Sequence, residues 1–238
     1  MPDFAKYLPL IRVRYPDYRF SWEILTELIL KHVAGEPYWL DIGAGSNVLI
    51  EEQPGASFAV GLDIEKPVKF FVDSGSSYCL AAAENLPFKN NSFDFITSRY
   101  TFEHLKYPDL ALKQILRILK PGGTLVIQTT NVRNPLVCLA RLIPLSIKKQ
   151  LFKTLKIETP SGVFKTYYRI NKPIDIKPIF EFAGINGKLK LNKLILVEDI
   201  ICHSRILFTL TFQLYKLLRF LKSDSLMGNM IAVFEKSG

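Results

Sequence analysis

Between residues 20 and 34, Trp22, Ile24, Leu25, Leu28, Ile29 and Leu30 fall at roughly helical spacing. That spacing predicts an amphipathic helix, with Ser21 as its N-cap and Gly35 as its stop. The period then changes. Tyr38–Ile42 and Phe58–Ile64 are short apolar runs, each with an acid near its end, Asp41 and Asp63. Val68–Val72 predicts a further short strand or an edge segment, and Phe93–Ser98 a core strand. Asp109–Leu119 returns to helical spacing and stops at the turn Lys120-Pro121-Gly122-Gly123, after which Thr124–Thr129 predicts another strand. Strands alternating with helices predict an α/β fold whose mainly parallel sheet is covered on both faces.

Beyond Thr130 the rhythm differs. Residues 135–156 are apolar with Arg141, Lys148, Lys149, Lys153 and Lys156 interleaved, and Pro160-Ser161-Gly162 interrupts them. Pro173–Phe182 predicts a helix closed by Gly184. Lys188–Val197 alternates like a half-buried strand, and Met230–Phe234 predicts the last strand. Residues 205–222 are strongly apolar but contain Gln213, Lys216 and Arg219, too much charge for a membrane span. They predict a packed helix or, alternatively, an amphipathic helix lying in a membrane interface.

With 238 residues, 48% hydrophobic and 22% charged, the chain is expected to form one large domain, and its apolar content argues against disorder. Cys79, Cys138 and Cys202 are widely spaced and odd in number, so neither a disulfide framework nor a CxxC metal site can be read from them. That usage, with no signal-peptide pattern at the N-terminus, suggests a cytoplasmic protein. The net charge of +9 is unevenly placed. Residues 1–130 carry 13 Lys and Arg against 15 Asp and Glu, whereas 131–238 carry 18 against 7. A basic second half points to an anionic partner, including peripheral contact with the inner membrane face; a solvated lysine-rich surface is the plain alternative.

The strongest local signal is Trp39-Leu40-Asp41-Ile42-Gly43-Ala44-Gly45-Ser46. Gly43 and Gly45 let the chain turn sharply and bring bare N–H groups against a ligand at a strand's carboxyl end. In doubly wound sheets that crevice takes nucleotide-like cofactors. A dinucleotide fingerprint needs a third glycine where this chain has Val48, although Asp63 lies at the right distance to hold a ribose.

The other motifs decide between cofactors. Asp41-Ile42-Gly43-Ala44-Gly45, Gly61-Leu62-Asp63, Ala83-Glu84-Asn85-Leu86-Pro87-Phe88, Ser92-Phe93-Asp94-Phe95, Glu103-His104-Leu105 and Leu119-Lys120-Pro121-Gly122-Gly123-Thr124-Leu125 follow in one order. This strongly resembles the class I S-adenosylmethionine-dependent methyltransferases, especially the small-molecule group related to ubiquinone-biosynthesis enzymes. In 131–238, Thr166-Tyr167-Tyr168-Arg169 and its basic flanks look like methyltransferases of bacterial polysaccharide biosynthesis. The resemblance implies a Rossmann-like, doubly wound, mainly parallel seven-stranded sheet with an antiparallel last strand and helical cap insertions. It implies one domain over 1–238. Residues 1–37 would be an N-terminal helical segment, 38–130 the cofactor-binding half and 131–172 a substrate cap. Residues 173–238 would complete the sheet, with a helical insertion at 200–225.

For single residues the resemblance implies that Asp41 supports the turn and the methionine amino group, while Gly43, Ala44 and Gly45 lie against the ligand. Asp63 would accept hydrogen bonds from both ribose hydroxyls; carboxylate acceptors make bonds roughly twice as strong as neutral ones. The loop of Ala83, Glu84 and Leu86 would contact adenine, with Leu62, Ile64 and Leu86 as apolar walls. Ser98 and Arg99 would lie near the methyl end. Two positions depart from the pattern. Asn47 stands where many relatives have a third glycine, and it tolerates a left-handed backbone better than most residues. Ala82 stands where an aspartate would bind the adenine amino group, so cofactor affinity is expected to be modest.

Methyl transfer from a sulfonium is an in-line displacement, and positioning alone supplies about 7–11 kcal/mol. A hydroxyl acceptor also needs a general base, for which His104 is the candidate; a histidine that packs or caps a helix start is the alternative. Tyr100, Glu103, Tyr167, Tyr168 and Arg169 are candidate substrate contacts, the tyrosines serving otherwise to pack the cap. The expected acceptor is small or lipid- or sugar-linked and anionic: a sugar nucleotide, a glycan intermediate or a quinone-type lipid precursor. The Asn/Asp-Pro-Pro-Tyr box of nucleic-acid amine methyltransferases is replaced by Ser98-Arg99-Tyr100, and no acid cluster suggests a metal site. A non-catalytic methyltransferase-like protein that binds a membrane or a protein, and an RNA methyltransferase, stand as competing functions. The basic residues form no recognisable RNA module, so a nucleic-acid partner is not expected.

Overall fold

The computed structural model describes residues 9, 11–13, 15–16, 18–53, 55–66, 76–154, 164–172, 187–195 and 205–237. Helix α1 (Ser21–Val33) buries Ile24, Leu25, Ile29 and Val33. Strand β1 (Tyr38–Ile42), the short α2 (Val48–Glu51), β2 (Phe58–Asp63) and β3 (Ser76–Leu80) follow. β4 (Phe93–Arg99), a 3-10 turn (Phe102–His104), α3 (Pro108–Ile118) and β5 (Leu119–Thr130) complete the first half. The second half holds α4 (Pro135–Arg141), α5 (Leu145–Thr154), β6 (Gly187–Ile195), α6 (Arg205–Phe220) and β7 (Asn229–Lys236).

The strands form one sheet in the order β3-β2-β1-β4-β5-β7-β6. β1 to β5 pair in parallel, and β7 runs antiparallel between β5 and β6. The chain leaves β1 toward β2 and β3, then returns to β4 on the other side of β1. That reversal opens a crevice at the carboxyl ends of β1 and β4, the position where ligands bind in such sheets. One face of the sheet carries Leu40, Ile42, Ile96 and Ile127 against Leu112 and Ile115 of α3. The other carries Trp39, Phe95 and Val126 against Ile24, Leu25 and Ile29 of α1. β1, β2 and β4 are covered on both faces, which is why their sequences read as continuous apolar runs.

Several local expectations are corrected. Ser21 is not the cap: Phe20 holds the N-cap position, and its N–H donates to Glu23 Oε2 at 2.8 Å. Ser21 lies buried in the first turn, where its Oγ accepts from Gln128 Nε2 at 3.0 Å. Lys120–Gly123 does not precede β5 as a turn but is an irregularity within it. Phe93 pairs with Leu119 and Phe95 with Thr124, so the intervening residues bulge out, and Gly122 takes φ 75°. The segment 68–72 and the helix 173–182 lie outside the described residues. β3 at Ser76–Leu80 was not among the expected strands, because its alternating Ser-Ser-Tyr-Cys-Leu sequence carries little apolar signal. Among the described residues, no helix is long and apolar enough to cross a membrane.

Candidate functional site

The carboxyl ends of β1, β2 and β4 meet around the turn Gly43-Ala44-Gly45. Gly43 takes φ 78°, and a Cβ there would lie 1.9 Å from Thr101 Oγ1, so only glycine fits. The Gly43 and Ala44 N–H groups donate to Leu62 O at 2.7 and 3.0 Å. Gly45 N–H donates to Asp63 Oδ2 at 2.9 Å, and the Tyr78 hydroxyl donates to Gly45 O at 2.7 Å. Asp63 Oδ1 accepts from Glu65 N–H at 3.2 Å. The acid that ends β2 is therefore held against the glycine turn, half-buried, and each carboxylate oxygen keeps a further lone pair for a ligand.

Asp41 is buried one strand away, level with Gly61 of β2 and Thr97 of β4. Its Oδ1 accepts from Thr97 Oγ1 at 2.6 Å, and Trp39 Nε1 donates to the same Oγ1 at 2.9 Å. Burial pushes the Asp41 carboxyl up to about 6. The Thr97 hydrogen bond and the Arg99 charge oppose the shift, and Asp63 adds to it. A carboxylate this poorly solvated gains from a cation placed beside it. An amino group of a bound ligand meets that need. A ribose diol matches the lone pairs of Asp63 in the same way, so the residues present fit S-adenosylmethionine.

Asn47 takes φ 65°, the left-handed conformation that a glycine would adopt without cost. Its Oδ1 fills the space where a Cβ on Gly61 would come within 2.1 Å. The Gly61-Leu62-Asp63 motif thus needs its glycine because of Asn47 packing. Ala81 N–H donates to Asp63 O at 3.0 Å, which brings the loop of Ala83 and Glu84 beside the end of β2. The expected apolar walls divide. Leu62 and Leu86 belong to the closed core, whereas Ile64 is 70% exposed at the crevice end of β2. Only Ile64 is placed to cover a ring.

At the end of β4, Ser98 Oγ is buried and has no hydrogen-bond partner among the described residues. Arg99 is exposed. Tyr100 takes φ 54°, and its hydroxyl accepts from Gln128 Nε2 at 2.9 Å. Glu103 is buried, accepting from Thr129 Oγ1 at 2.6 Å and Thr130 Oγ1 at 3.1 Å. Burial pushes its carboxyl above the usual range despite these hydrogen bonds and the neighbouring His104. A side chain so enclosed is a structural tie rather than a substrate contact. Its carbonyl accepts from Tyr167 and Tyr168 N–H at 2.7 and 3.2 Å, which fastens 164–172 to the end of β4.

His104 Nδ1 lies 2.9 Å from Lys165 O, and its ring packs edge-on to Phe164 at 5.9 Å. A carbonyl can only accept, so Nδ1 carries the proton and Nε2 holds a lone pair in the neutral ring. The Arg141 guanidinium stands 5.2 Å over the Tyr168 ring, while Lys165 Nζ lies 5.1 Å over Tyr167. Arg169 is exposed. Thr97, Thr101, Tyr78, Thr129 and Arg141 were absent from the sequence-derived candidates. Only Thr97 carried a signal, being the polar member of β4 on the face shared by Phe95.

A cleft of about 690 Å³ lies elsewhere. It is lined by Tyr38, Phe58 and Phe93, the first residues of β1, β2 and β4, together with Phe88 and Lys120. It opens at the amino ends of the strands, and no carboxylate lines it. The crevice at the carboxyl ends, with its acids and glycine turn, therefore remains the candidate site.

This strand order is that of a Rossmann-like, doubly wound sheet, with an acid at the end of β2 facing a glycine turn after β1. Residues 40–127 match the family described as a methyltransferase domain. The chain is 36% identical over 116 residues to the mitochondrial 2-methoxy-6-polyprenyl-1,4-benzoquinol methylase of Danio rerio, covering 44% of this chain and 35% of that protein. It is 43% identical over 58 residues to the ubiquinone/menaquinone biosynthesis C-methyltransferase UbiE of Neisseria gonorrhoeae, covering 24% of each. The matched stretch thus spans about a third or less of these relatives. The crystal structure of an S-adenosylmethionine-dependent methyltransferase from Mesorhizobium loti superposes with a TM-score of 0.53 at 16% identity, covering 89% of this chain and 96% of that one. The chain therefore matches a methyltransferase domain over residues 40–127 and is similar, over part of its length, to methyltransferases of ubiquinone biosynthesis.

Proposed function

We propose that this protein transfers the methyl group of S-adenosylmethionine to a small, lipid-linked or sugar-linked anionic acceptor by in-line displacement. The observation that carries this reading is the pair of acids at the crevice: Asp63 hydrogen-bonded to the Gly45 N–H, beside the buried Asp41 with its raised pKa. Asp63 would hold the ribose hydroxyls, and Asp41 would face the methionine amino group. When bound, the cofactor supplies a methyl group on a positively charged sulfur that departs as a neutral thioether. Ile64 would cover the adenine, and Ser98 Oγ offers an unused hydroxyl near the methyl end.

His104 serves as the general base for a hydroxyl acceptor. Lys165 O fixes the ring with Nε2 as its acceptor nitrogen, and that atom would take the proton as the acceptor attacks. Arg141 and Lys165, each lying over a tyrosine ring, would draw an anionic acceptor toward the same mouth. A non-catalytic role is the second reading, favoured by Ala82 in place of an adenine-binding aspartate.

Isothermal titration separates the two. Saturable binding of S-adenosylmethionine is expected, with Asp63→Ala weakening it about tenfold or more while the protein stays folded. Folded protein that binds none would overturn the catalytic reading, and unchanged affinity in the variant would remove Asp63 from the site. Transfer of a tritiated methyl group to separated glycan, lipid and RNA extracts then identifies the acceptor pool.

A further inference from the structure

Helices α4 and α5 present an apolar run that the sheet does not cover. Leu142 is 79% exposed, Leu139 62% and Ile147 54%, and Ile143 and Leu145 are on the surface with them. Val137 alone in α4 is buried. Single apolar side chains on a surface are ordinary, but a contiguous run marks a place where something docks. These side chains fall within nine consecutive residues, 139–147, from the end of α4 to the start of α5.

The charge on the same segment has one sign. Residues 131–154 contain Arg133, Arg141, Lys148, Lys149 and Lys153 and not one aspartate or glutamate. Arg133, Arg141, Lys148 and Lys149 take no part in the ion pairs Arg12–Glu23, Arg19–Glu27 and Lys120–Asp94. Partial burial, and after it the neighbouring Arg141 charge, hold the Lys148 ammonium below the usual lysine range.

We propose that the α4–α5 corner docks on an anionic lipid bilayer, its aliphatic side chains entering the headgroup boundary and its cations meeting lipid phosphates. Exposed aliphatic groups flanked by lysine and arginine are the signature of interfacial binding. A projecting corner needs no matching groove, which favours a bilayer over an acidic protein as the occupant. Arg141 lies over the Tyr168 ring, so docking sets the mouth beside His104 at the lipid surface. A lipid-linked acceptor would present its head there. Docking itself is independent of methyl transfer, because vesicle binding needs neither cofactor nor acceptor.

Flotation of the full chain tests this with vesicles of phosphatidylcholine alone and of phosphatidylcholine mixed with phosphatidylglycerol. Binding is expected only to the mixed vesicles, and it should weaken as salt is raised. The double variant Leu142→Ser, Ile147→Ser should lower partition about tenfold or more. Lys148→Glu with Lys149→Glu should lower it about fivefold per charge lost. Leu30→Ser should leave it unchanged, since that exposed residue sits near the far end of α1. Circular dichroism and S-adenosylmethionine titration on the same samples establish that each variant is folded and whether the cofactor site stands. No binding to mixed vesicles, or equal binding by all variants, would overturn the proposal. So would a dimer that the Leu142→Ser, Ile147→Ser variant dissolves, which would assign the corner to a contact between copies. Salt-sensitive capture of polyglutamate without vesicle binding would assign it to an acidic protein instead.

Discussion

Asp41 is the side chain on which pH acts most directly. Its carboxyl titrates at about 6 in the folded protein against an ordinary 3.8. Below about pH 4 the proton is bound in both folded and unfolded chains, and between about 4 and 6 only the folded chain keeps it. Stability present at low pH is therefore lost as the pH rises through the folded value. Relative to Asp41→Asn, which cannot titrate, the wild type should lose about 3 kcal/mol of unfolding free energy over that span. Urea denaturation at several pH values measures the difference, and a constant gap would mean that Asp41 ionises normally. His104 makes its own prediction. His104→Ala should reduce kcat about 100-fold or more with little change in the KM of the acceptor. Near-normal turnover at saturating acceptor would exclude a general-base role and leave the ring as packing against Phe164.

Segment 164–172 is held in place by a small polar network rather than by a helix or strand. Asn171 Nδ2 donates to Thr129 Oγ1 at 2.7 Å and to Thr130 O at 3.0 Å, and Val132 N–H donates to Asn171 O at 2.9 Å. Thr129 in turn donates to the buried Glu103. Asn171→Ala removes both side-chain donors and leaves buried acceptors unmet, at a cost of about 1–3 kcal/mol. Proteolysis should then cut the cap sooner, and the acceptor KM should rise while cofactor affinity holds. Unchanged protease resistance would mean that the backbone bonds at Glu103 are enough. None of this was readable beforehand. Glu103 was a candidate substrate contact, and its side-chain partners are 26 and 27 residues away on β5.

Across the molecule, chemistry and charge lie on different parts of the chain. The acids and the glycine turn belong to the parallel half. The cations and exposed aliphatic groups belong to the helices that follow β5, and they meet at the mouth where Arg141 covers Tyr168. The vesicle experiment belongs at this level, since no one side chain docks a protein on a bilayer. At the opposite end of the strands, Asp94 accepts from Tyr38 N–H at 3.0 Å and pairs with Lys120 at 2.8 Å. Partial burial would raise its carboxyl, but Lys120 and the Tyr38 N–H hold it below the usual range. Asp94 thus fastens the start of β1 to the bulge at the start of β5.

Local patterning was enough for the helix after residue 20, the core strands β1, β2 and β4, the helix before β5 and the glycine turn after β1. Each of these is specified over a few neighbouring positions, by the spacing of apolar groups or by a backbone angle that only glycine accepts freely. Pairings between distant residues left no such trace. Asn47 against Gly61 and Arg141 over Tyr168 arise from chain crossing and packing. Burial, which raises the Asp41 pKa and encloses Glu103, is likewise a property of what the rest of the chain packs around them.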